Sequence, residues 1–285
     1  MSLSILTNIS AMDTHRNLAA SSASVATAMQ RLSSGLRINT AADDAAGYAI
    51  SQGLTAQVNG FDQASRNVGD AVSMVQTAES SLNNIQSMLQ RVRELAVQYQ
   101  NGDLSSSNQT AIQNEVDQLT QEIDRQRTAV TFNGNNLLSG AAGTAGVGVT
   151  FQVGPNSGNT LVASFADIEG STGLGVTGFT WTNASSAGKV FDLGQANALS
   201  TLDSAISNVS TLAATLGAVQ NRLQYTSDAI SSTEQNLAAS NSQIKDVDMA
   251  SEMTMLTQQQ ILQQAGTAML AQANSQPQLV LKLLG

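Results

Sequence analysis

A seven-residue repeat of apolar side chains limits most strongly what this 285-residue chain can fold into. Seven successive heptad positions from Leu202 to Ile244 are Leu, Val or Ile. A second repeat runs from Val68 to Ala96, and three residues after each of its members comes a further apolar or aromatic side chain. This spacing is typical of coiled-coil helices, whose narrow apolar ridge needs a partner helix to cover it.

A break at Asn101-Gly102 interrupts the second repeat. The serines at 105–107 are good helix N-caps, and a further apolar seam follows from Ile112 to Val130. Because the break is short, we expect the two helices to fold back on each other as an antiparallel hairpin.

Residues 132–194 differ in composition from both arms of the chain. They hold thirteen of the 22 glycines, five of the six phenylalanines and the only tryptophan. Alternating apolar side chains over 147–153 and 161–165 predict two strands around a turn at 155–159, and 176–191 predicts further strands. The predicted fold class is therefore mainly α, a long antiparallel helical coiled-coil bundle formed by both chain arms, with a small β-rich inserted outer domain.

The same features predict five segments along the chain. Terminal coiled-coil helices occupy 1–40 and 249–285, and a helical hairpin occupies 41–135. The β-rich outer domain occupies 136–195, and a long return helix occupies 196–248.

Both chain ends carry amphipathic patterns for which the sequence offers no obvious intramolecular cover. Ordering about 35 residues at about 1.5 kcal/mol each requires more burial than one narrow seam provides. We therefore expect residues 1–36 and about 250–285 to be disordered in the monomer and helical in a polymer. The predicted polymerisation seam comprises Leu18, Val25, Met29, Leu32, Leu36, Leu223, Ile230, Leu237, Ile244, Met255, Leu262 and Met269.

The sequence contains no constellation of catalytic or metal-binding side chains. There is no cysteine, and the single histidine, His15, can form neither an HExxH zinc motif nor a His-paired nucleophile. The only adjacent acidic pair, Asp43-Asp44, is interpreted as solvated helix surface. We predict a protein that is not an enzyme, with no catalytic, cofactor-binding or metal site and no cofactor.

The charge and the lengths of the apolar runs each exclude one class of partner. The net charge is −9, and basic residues form no cluster, so we expect no nucleic acid to bind. No run of 18 apolar residues occurs, so we expect no membrane span. The N-terminus also lacks the features of a cleaved signal peptide, which taken alone would predict a cytoplasmic protein.

Short sequence motifs at both ends of the chain resemble those of bacterial flagellins. At the N-terminal end they are Leu32-Ser-Ser-Gly-Leu-Arg-Ile-Asn39 and Asp43-Asp44-Ala-Ala-Gly47, and at the C-terminal end Gln260-Ile-Leu-Gln-Gln-Ala-Gly266 and Ala271-Gln-Ala-Asn274. The resemblance covers about 1–140 and 195–285. It implies a structural subunit that polymerises into the flagellar filament, with both chain ends in the innermost coiled coil.

The resemblance also implies partners and a location. The partners are further copies of the chain, the flagellar type III export apparatus, a flagellin chaperone, the filament cap and the hook–filament junction proteins. Because type III export needs no cleaved signal, the resemblance replaces the cytoplasmic prediction with a secreted protein of the extracellular filament.

One helix face is a candidate for recognition by a host. With Leu89 at heptad position a, Arg91 falls at c and Leu95 at g, so we expect both on an outward face. The resemblance implies that Arg91, Leu95 and Glu115 contact the flagellin-sensing Toll-like receptor, a host innate immune receptor. Packing of this face on a neighbouring subunit is the alternative, and we take it as the primary role.

Three other protein classes account for the sequence less well. A hook–filament junction protein would share the terminal helices in weaker form. A coiled-coil module of a chemoreceptor would leave the β-rich insertion without a role. An enzyme inserted into 132–194 would need catalytic residues, but that segment contains neither histidine nor cysteine.

Overall fold

The computed structural model describes residues 7–138, 148–165 and 191–284, with side chains as far as residue 276. Within this part the chain is mainly helical, so the predicted fold class is confirmed. The predicted strands between 176 and 190 lie outside the described residues. The helices are α1 (Ile9–Ser34), α2 (Ala45–Tyr99), α3 (Ser106–Ala129), α4 (Ala198–Lys245) and α5 (Met249–Leu284); the strands are β1 (Thr131–Phe132), β2 (Asn135–Asn136), β3 (Val149–Gln152) and β4 (Thr160–Ala163).

Side chains beside the helix termini fix where three of the helices begin. The Asn8 side chain accepts a hydrogen bond from the Ala11 amide at 3.1 Å, and Ser105 caps α3 as predicted. Asp248 accepts the first free amide groups of α5 in the same way. Each of these oxygens satisfies an amide that has no partner within its helix, so local sequence alone sets these boundaries.

The acidic pair Asp43-Asp44 has a different role from the one predicted. Asp43 accepts hydrogen bonds from the Asn39 and Thr40 amides, and Asp44 accepts one from the Gly47 amide. These backbone hydrogen bonds, that from Thr40 above all, lower the pKa of Asp43. The pair therefore orders the turn before α2, and its interpretation as plain helix surface was wrong.

The chain divides into two compact units. The first contains Met1–Val58 and Gln235–Gly285, and the second contains Asn59–Glu234. In the first unit the two interhelical linkers pair with each other, because Leu36 and Asp246 form an antiparallel bridge. The Arg37 guanidinium also donates to the Ile244 carbonyl at 2.7 Å, near the end of α4.

The second unit has an extensive apolar core. Along α2 the core follows the predicted repeat from Val68 to Ala96, and along α4 it follows the repeat from Leu202 to Ile230. Polar contacts place α3 and α4 on α2, through Arg91–Glu115 at 2.8 Å and Arg93–Asp203 at 2.6 Å. The pair Gln86–Ser210 lies one heptad from Arg93–Asp203 in both helices and fixes the antiparallel direction. The Arg91–Glu115 pair joins α2 to α3 within this unit, whereas residues 41–58 of the segment 41–135 predicted as a helical hairpin belong to the first unit.

The two hairpins lie in the second unit. A two-residue turn at Asn133-Gly134, with φ of 49° and 82°, joins β1 to β2. The predicted strand pair around residues 155–159 is confirmed as β3 and β4. This hairpin packs against the helical core, since Leu161 and Ala163 are buried and Asn67 of α2 donates to the Gln152 carbonyl.

Candidate assembly surface

Helices α1 and α5 pack against each other within the first unit. On α1 the sheltered positions recur at alternating steps of three and four residues, and on α5 they do the same. Both sets follow the spacing of a coiled-coil seam, so each terminal helix covers the other. The α1 positions are Ala11, Thr14, Leu18, Ser21, Val25, Ala28 and Leu32, and the α5 positions are Glu252, Leu256, Gln259, Gln263, Gly266, Leu270 and Ala273.

Small and polar side chains bring these two helices close together. The Ser21 hydroxyl contacts the Gln259 carbonyl at 3.0 Å, and Gly266 lies so near Leu18 that an added Cβ would meet the Leu18 Cδ1 at 3.4 Å. Arg31 faces the buried carboxylate of Glu252 at 3.7 Å. The seam therefore depends on close backbone approach and hydrogen bonds more than on large apolar side chains.

Many large apolar side chains of α1 and α5 point away from this seam. Among the described residues, nine of the thirteen exposed large apolar side chains belong to these two helices, which is far more than their share of the chain. We call this set the methionine-rich surface. Its members are Ile9, Met12, Met29, Met249, Met253, Met255, Ile261, Leu262 and Met269. None of the described helices has the length and apolarity that a membrane span requires.

An uncharged groove runs along one side of the α1–α5 pair. Its volume is about 620 Å³, and Leu18, Leu262 and Met269 line it together with small and amide side chains. A groove of this size can accept apolar side chains from another helix. Its walls belong to both terminal helices, so it exists only where the two are paired.

The predicted polymerisation seam separates into three groups in the structure. Leu18, Val25 and Leu32 are half-buried and face α5, and Leu36, Leu237 and Ile244 are half-buried elsewhere in the first unit. Leu223 and Ile230 are buried in the core of the second unit and have no surface to offer another subunit. Met29, Met255, Leu262 and Met269 are exposed. The expectation that the terminal helices have no intramolecular cover was wrong, because α1 and α5 cover each other. On α5 the residues that face α1 form a stripe beside the exposed row of Met255, Leu262 and Met269.

The three residues proposed for receptor contact do not share one exposed face. Arg91 and Glu115 are about half exposed and form an ion pair between α2 and α3. Within this pair the Arg91 guanidinium donates a hydrogen bond to the Glu115 carboxylate, which raises the pKa of Arg91. Leu95 is only 2% exposed and belongs to the core of the second unit. The prediction of an outward-facing Leu95 was wrong, because α2 packs against both α3 and α4 and buries a stripe wider than one seam.

Comparison with known proteins decides the family. The family model described as the bacterial flagellin N-terminal helical region matches residues 5–142, and the C-terminal helical region matches residues 199–284. This chain belongs to the bacterial flagellin family. It is 44% identical to a flagellin of Halalkalibacterium halodurans over 281 residues, with 97% of this chain and 98% of the relative covered.

A further relative is a flagellar filament protein, and one solved structure has a similar fold. The chain is 43% identical over 284 residues to the flagellar filament 33 kDa core protein of Treponema phagedenis, covering 97% of this chain and 98% of the relative. A putative flagellar hook-associated protein from Vibrio parahaemolyticus has a similar fold, with a TM-score of 0.57 and 16% identity over 72% of this chain and all of the other. As a flagellin, the chain is a structural, non-enzymatic subunit that self-assembles into the extracellular flagellar filament.

Proposed function

We propose that subunits polymerise through the methionine-rich surface, with apolar side chains of one copy entering the groove beside α1 and α5 of the next. The observation that carries this proposal is the concentration of exposed apolar side chains on the two terminal helices. Exposed apolar area on this scale is costly in water and is typical of an interaction site. A second copy is the occupant because flagellins self-assemble.

The ridge of Met255, Leu262 and Met269 is the part of this surface that we assign most directly to subunit contacts. These three side chains are 45%, 49% and 60% exposed and lie one heptad apart along α5. Leu262 and Met269 also line the groove, so the ridge and the groove form one continuous site. Burying one such side chain contributes about 1.5–3 kcal/mol, which is at least tenfold in affinity.

A triple substitution of this ridge tests the proposal. We expect Met255→Gln, Leu262→Gln and Met269→Gln together to leave monomer helicity and melting nearly unchanged, since the three side chains are exposed in the single chain. The concentration needed for filament formation, measured by sedimentation and electron microscopy, should rise more than tenfold. Val97→Gln is the matched control, because Val97 is equally exposed but lies in the second unit. Normal polymerisation of the triple variant would contradict the proposal.

The remaining partners follow from family membership and are proposed with it. Export through the flagellar type III apparatus with a flagellin chaperone would bring the chain to the filament tip. There it would meet the filament cap, and at the filament base the hook–filament junction proteins. We also propose that the outer domain within 136–195 faces solvent in the filament. Loss of the chain from the culture medium of cells lacking the export apparatus would support secretion by this route.

A second role is recognition by the flagellin-sensing Toll-like receptor. The exposed Arg91–Glu115 ion pair supports it, because a charged pair at the surface can exchange its partner for complementary charges on a receptor. Leu95 would act indirectly, because its packing in the core fixes the position of the α2 segment that carries Arg91. We expect Arg91→Ala with Glu115→Ala to reduce receptor signalling at unchanged monomer stability. The exposed pair Arg125–Glu122 of α3 is the matched control, and equal loss from both pairs would contradict a specific site.

A further inference from the structure

The methionines of this chain are unevenly distributed between its two units. Six of the nine are between 45% and 61% exposed, and all six lie in α1 or α5. In the second unit, Met74 is only 4% exposed and Met88 is half-buried against the core. The exposed six are Met12, Met29, Met249, Met253, Met255 and Met269.

These thioethers are the natural targets for an oxidant that meets the unassembled subunit. The chain has no cysteine, the residue that normally reacts first. Methionine reacts in proportion to the access that a reagent has to its sulfur, so Met74 and Met88 should react far more slowly. The first unit therefore presents a cluster of oxidisable groups on the surface that we assign to assembly.

We propose that the six exposed methionines are an oxidation site whose conversion to methionine sulfoxide blocks subunit assembly; this inference rests on the proposed role of the methionine-rich surface. The reagent class is a two-electron oxidant such as hydrogen peroxide. The sulfur lone pair attacks one peroxide oxygen and the O–O bond breaks. After proton transfer the products are one sulfoxide and one water, so the sulfur is oxidised and the peroxide is reduced.

The sulfoxide weakens assembly because it turns an apolar group into a strong hydrogen-bond acceptor. In the monomer the new oxygen stays in water and costs little. In a subunit interface it loses that water, and the exposed apolar neighbours Ile261 and Leu262 provide no side-chain donor. Burial in the filament should in turn shield the same sulfurs, so oxidation acts on the free subunit and leaves the assembled one largely intact.

The first experiment compares monomer and filament. Both are treated with the same concentration of hydrogen peroxide, and peptides are mapped by mass spectrometry. We expect the six methionines to gain oxygen in the monomer at least about tenfold faster than in the filament, and Met74 to stay largely unmodified in both. Equal rates in monomer and filament, or oxidation of Met74 as fast as Met255, would overturn the inference.

The second experiment measures assembly before and after peroxide. For wild type we expect the critical concentration to rise about tenfold or more for each sulfoxide buried without a donor, and to recover after treatment with methionine sulfoxide reductases. A variant with all six methionines replaced by leucine should give one critical concentration, whatever its value, before and after peroxide. If that variant does not assemble, recovery of the wild type by the reductases decides the question.

The outcomes separate this inference from the function on which it rests. If the triple ridge variant assembles like the untreated wild type, the proposed interface fails. If that variant is impaired but oxidised wild type assembles as well as untreated protein, only the oxidation switch fails. Loss of assembly that also occurs in the leucine variant, or that the reductases cannot reverse, would assign the effect of peroxide to other residues.

Discussion

Leu95 illustrates how much a single residue depends on the number of partners around its helix. Its heptad position lies outside the seam of a two-helix coiled coil, yet the side chain is buried. The buried positions Leu89, Val92, Leu95 and Ala96 of α2 form a stripe that two partner helices cover from different sides. An apolar residue on the flank of a heptad is therefore a core candidate whenever a third helix is present.

Leu95→Ala should destabilise the second unit by about 2–5 kcal/mol, because it leaves a cavity in a packed core. Val97→Ala, two residues away and 51% exposed, should change stability by no more than about 0.5 kcal/mol. Chemical denaturation of the two monomeric variants, followed by circular dichroism, measures the difference. Similar stabilities for the two variants would mean that Leu95 is not a core residue in solution.

A pair of carboxyl groups makes stability depend on pH. Glu234 of α4 hydrogen-bonds Asp62 of α2, and burial, followed by the charge of Asp62, raises the pKa of Glu234. Since the folded chain favours the protonated glutamate, this group stabilises the fold below its unfolded pKa. That contribution is lost as the pH rises through the folded value.

Glu234→Gln mimics the protonated glutamate, so we expect it to raise the melting temperature at pH 7 and to have little effect near pH 3. Glu122→Gln should lower the melting temperature at pH 7. The hydrogen bond from Arg125 lowers the pKa of Glu122 and thus stabilises the charged carboxylate, which glutamine cannot replace. Thermal melting of both variants and the wild type across this pH range measures the two changes in melting temperature. A lower melting temperature of Glu234→Gln at pH 7 would contradict the assignment.

At the scale of single elements, α5 shows why the largest side chains are a poor guide to a helix seam. The ridge of Met255, Leu262 and Met269 has perfect heptad spacing, but α1 packs on a neighbouring stripe that contains Gly266 and Ala273. Small residues let two backbones approach, and the hydrogen bond from Ser21 to Gln259 then forms across the seam. A search for small residues at seam spacing would have found this face.

Two substitutions of Gly266 test this packing. Gly266→Ala adds a Cβ at 3.4 Å from Leu18, an ordinary contact, and improves helix propensity by about 1 kcal/mol, so we expect equal or greater stability. Gly266→Leu places a larger group against Leu18 and should separate α1 from α5. Hydrogen exchange of α1 amides in the monomer should be faster only for the leucine variant. Unchanged protection in that variant would argue against the seam.

One face of the β3–β4 hairpin packs against the helical core, and the other face is exposed. Leu161 is 6% exposed, whereas its neighbour Val162 points to the other face and is 47% exposed. Near β3, Gly60 of α2 also lies against Pro155, where an added Cβ would approach the proline Cβ to 2.5 Å. A deletion of about 141–190 would remove this cover from the helices.

Leu161→Ala should therefore cost about 2–5 kcal/mol, and Val162→Ala should cost less than about 1 kcal/mol because it leaves no cavity. The two residues are adjacent in one strand, so each serves as the control for the other. The denaturant midpoints of the two monomeric variants measure these losses of stability. A larger loss for Val162→Ala would reverse the assigned faces of β4.

At the scale of the whole molecule, burial is divided very unequally between the two units. Nearly all buried apolar residues among the described side chains belong to the second unit, whereas the first unit contributes only Ala28 and Ile38. A unit with so small a core opens locally at low free-energy cost, even though its helices are paired.

Limited proteolysis of the monomer should therefore cut α1 and α5 first and leave a resistant fragment of about 40–245. The same helices should resist cleavage in the filament, where neighbouring copies would cover them. Mass spectrometry of the fragments after matched digestion of the two forms measures both effects. Resistant terminal helices in a verified monomer would show that the α1–α5 seam is stable by itself.

The sequence by itself determined where the helices and hairpins form and to which family the chain belongs. Heptad repeats predicted α2 and α4, Ser105 marked the start of α3, and alternation predicted β3 and β4. These features depend on residues close in sequence, through side-chain periodicity and capping hydrogen bonds.

Only the tertiary structure decided which face of each helix meets which partner. The burial of Leu95, the ordering of the turn before α2 by Asp43 and the seam through Gly266 depend on neighbours distant in sequence or on the exact course of the backbone. Periodicity identifies an apolar stripe, but the number of partner helices sets its width. How closely two backbones approach, and thus which stripe forms the seam, depends on small residues on both helices, which hydrophobicity alone does not register.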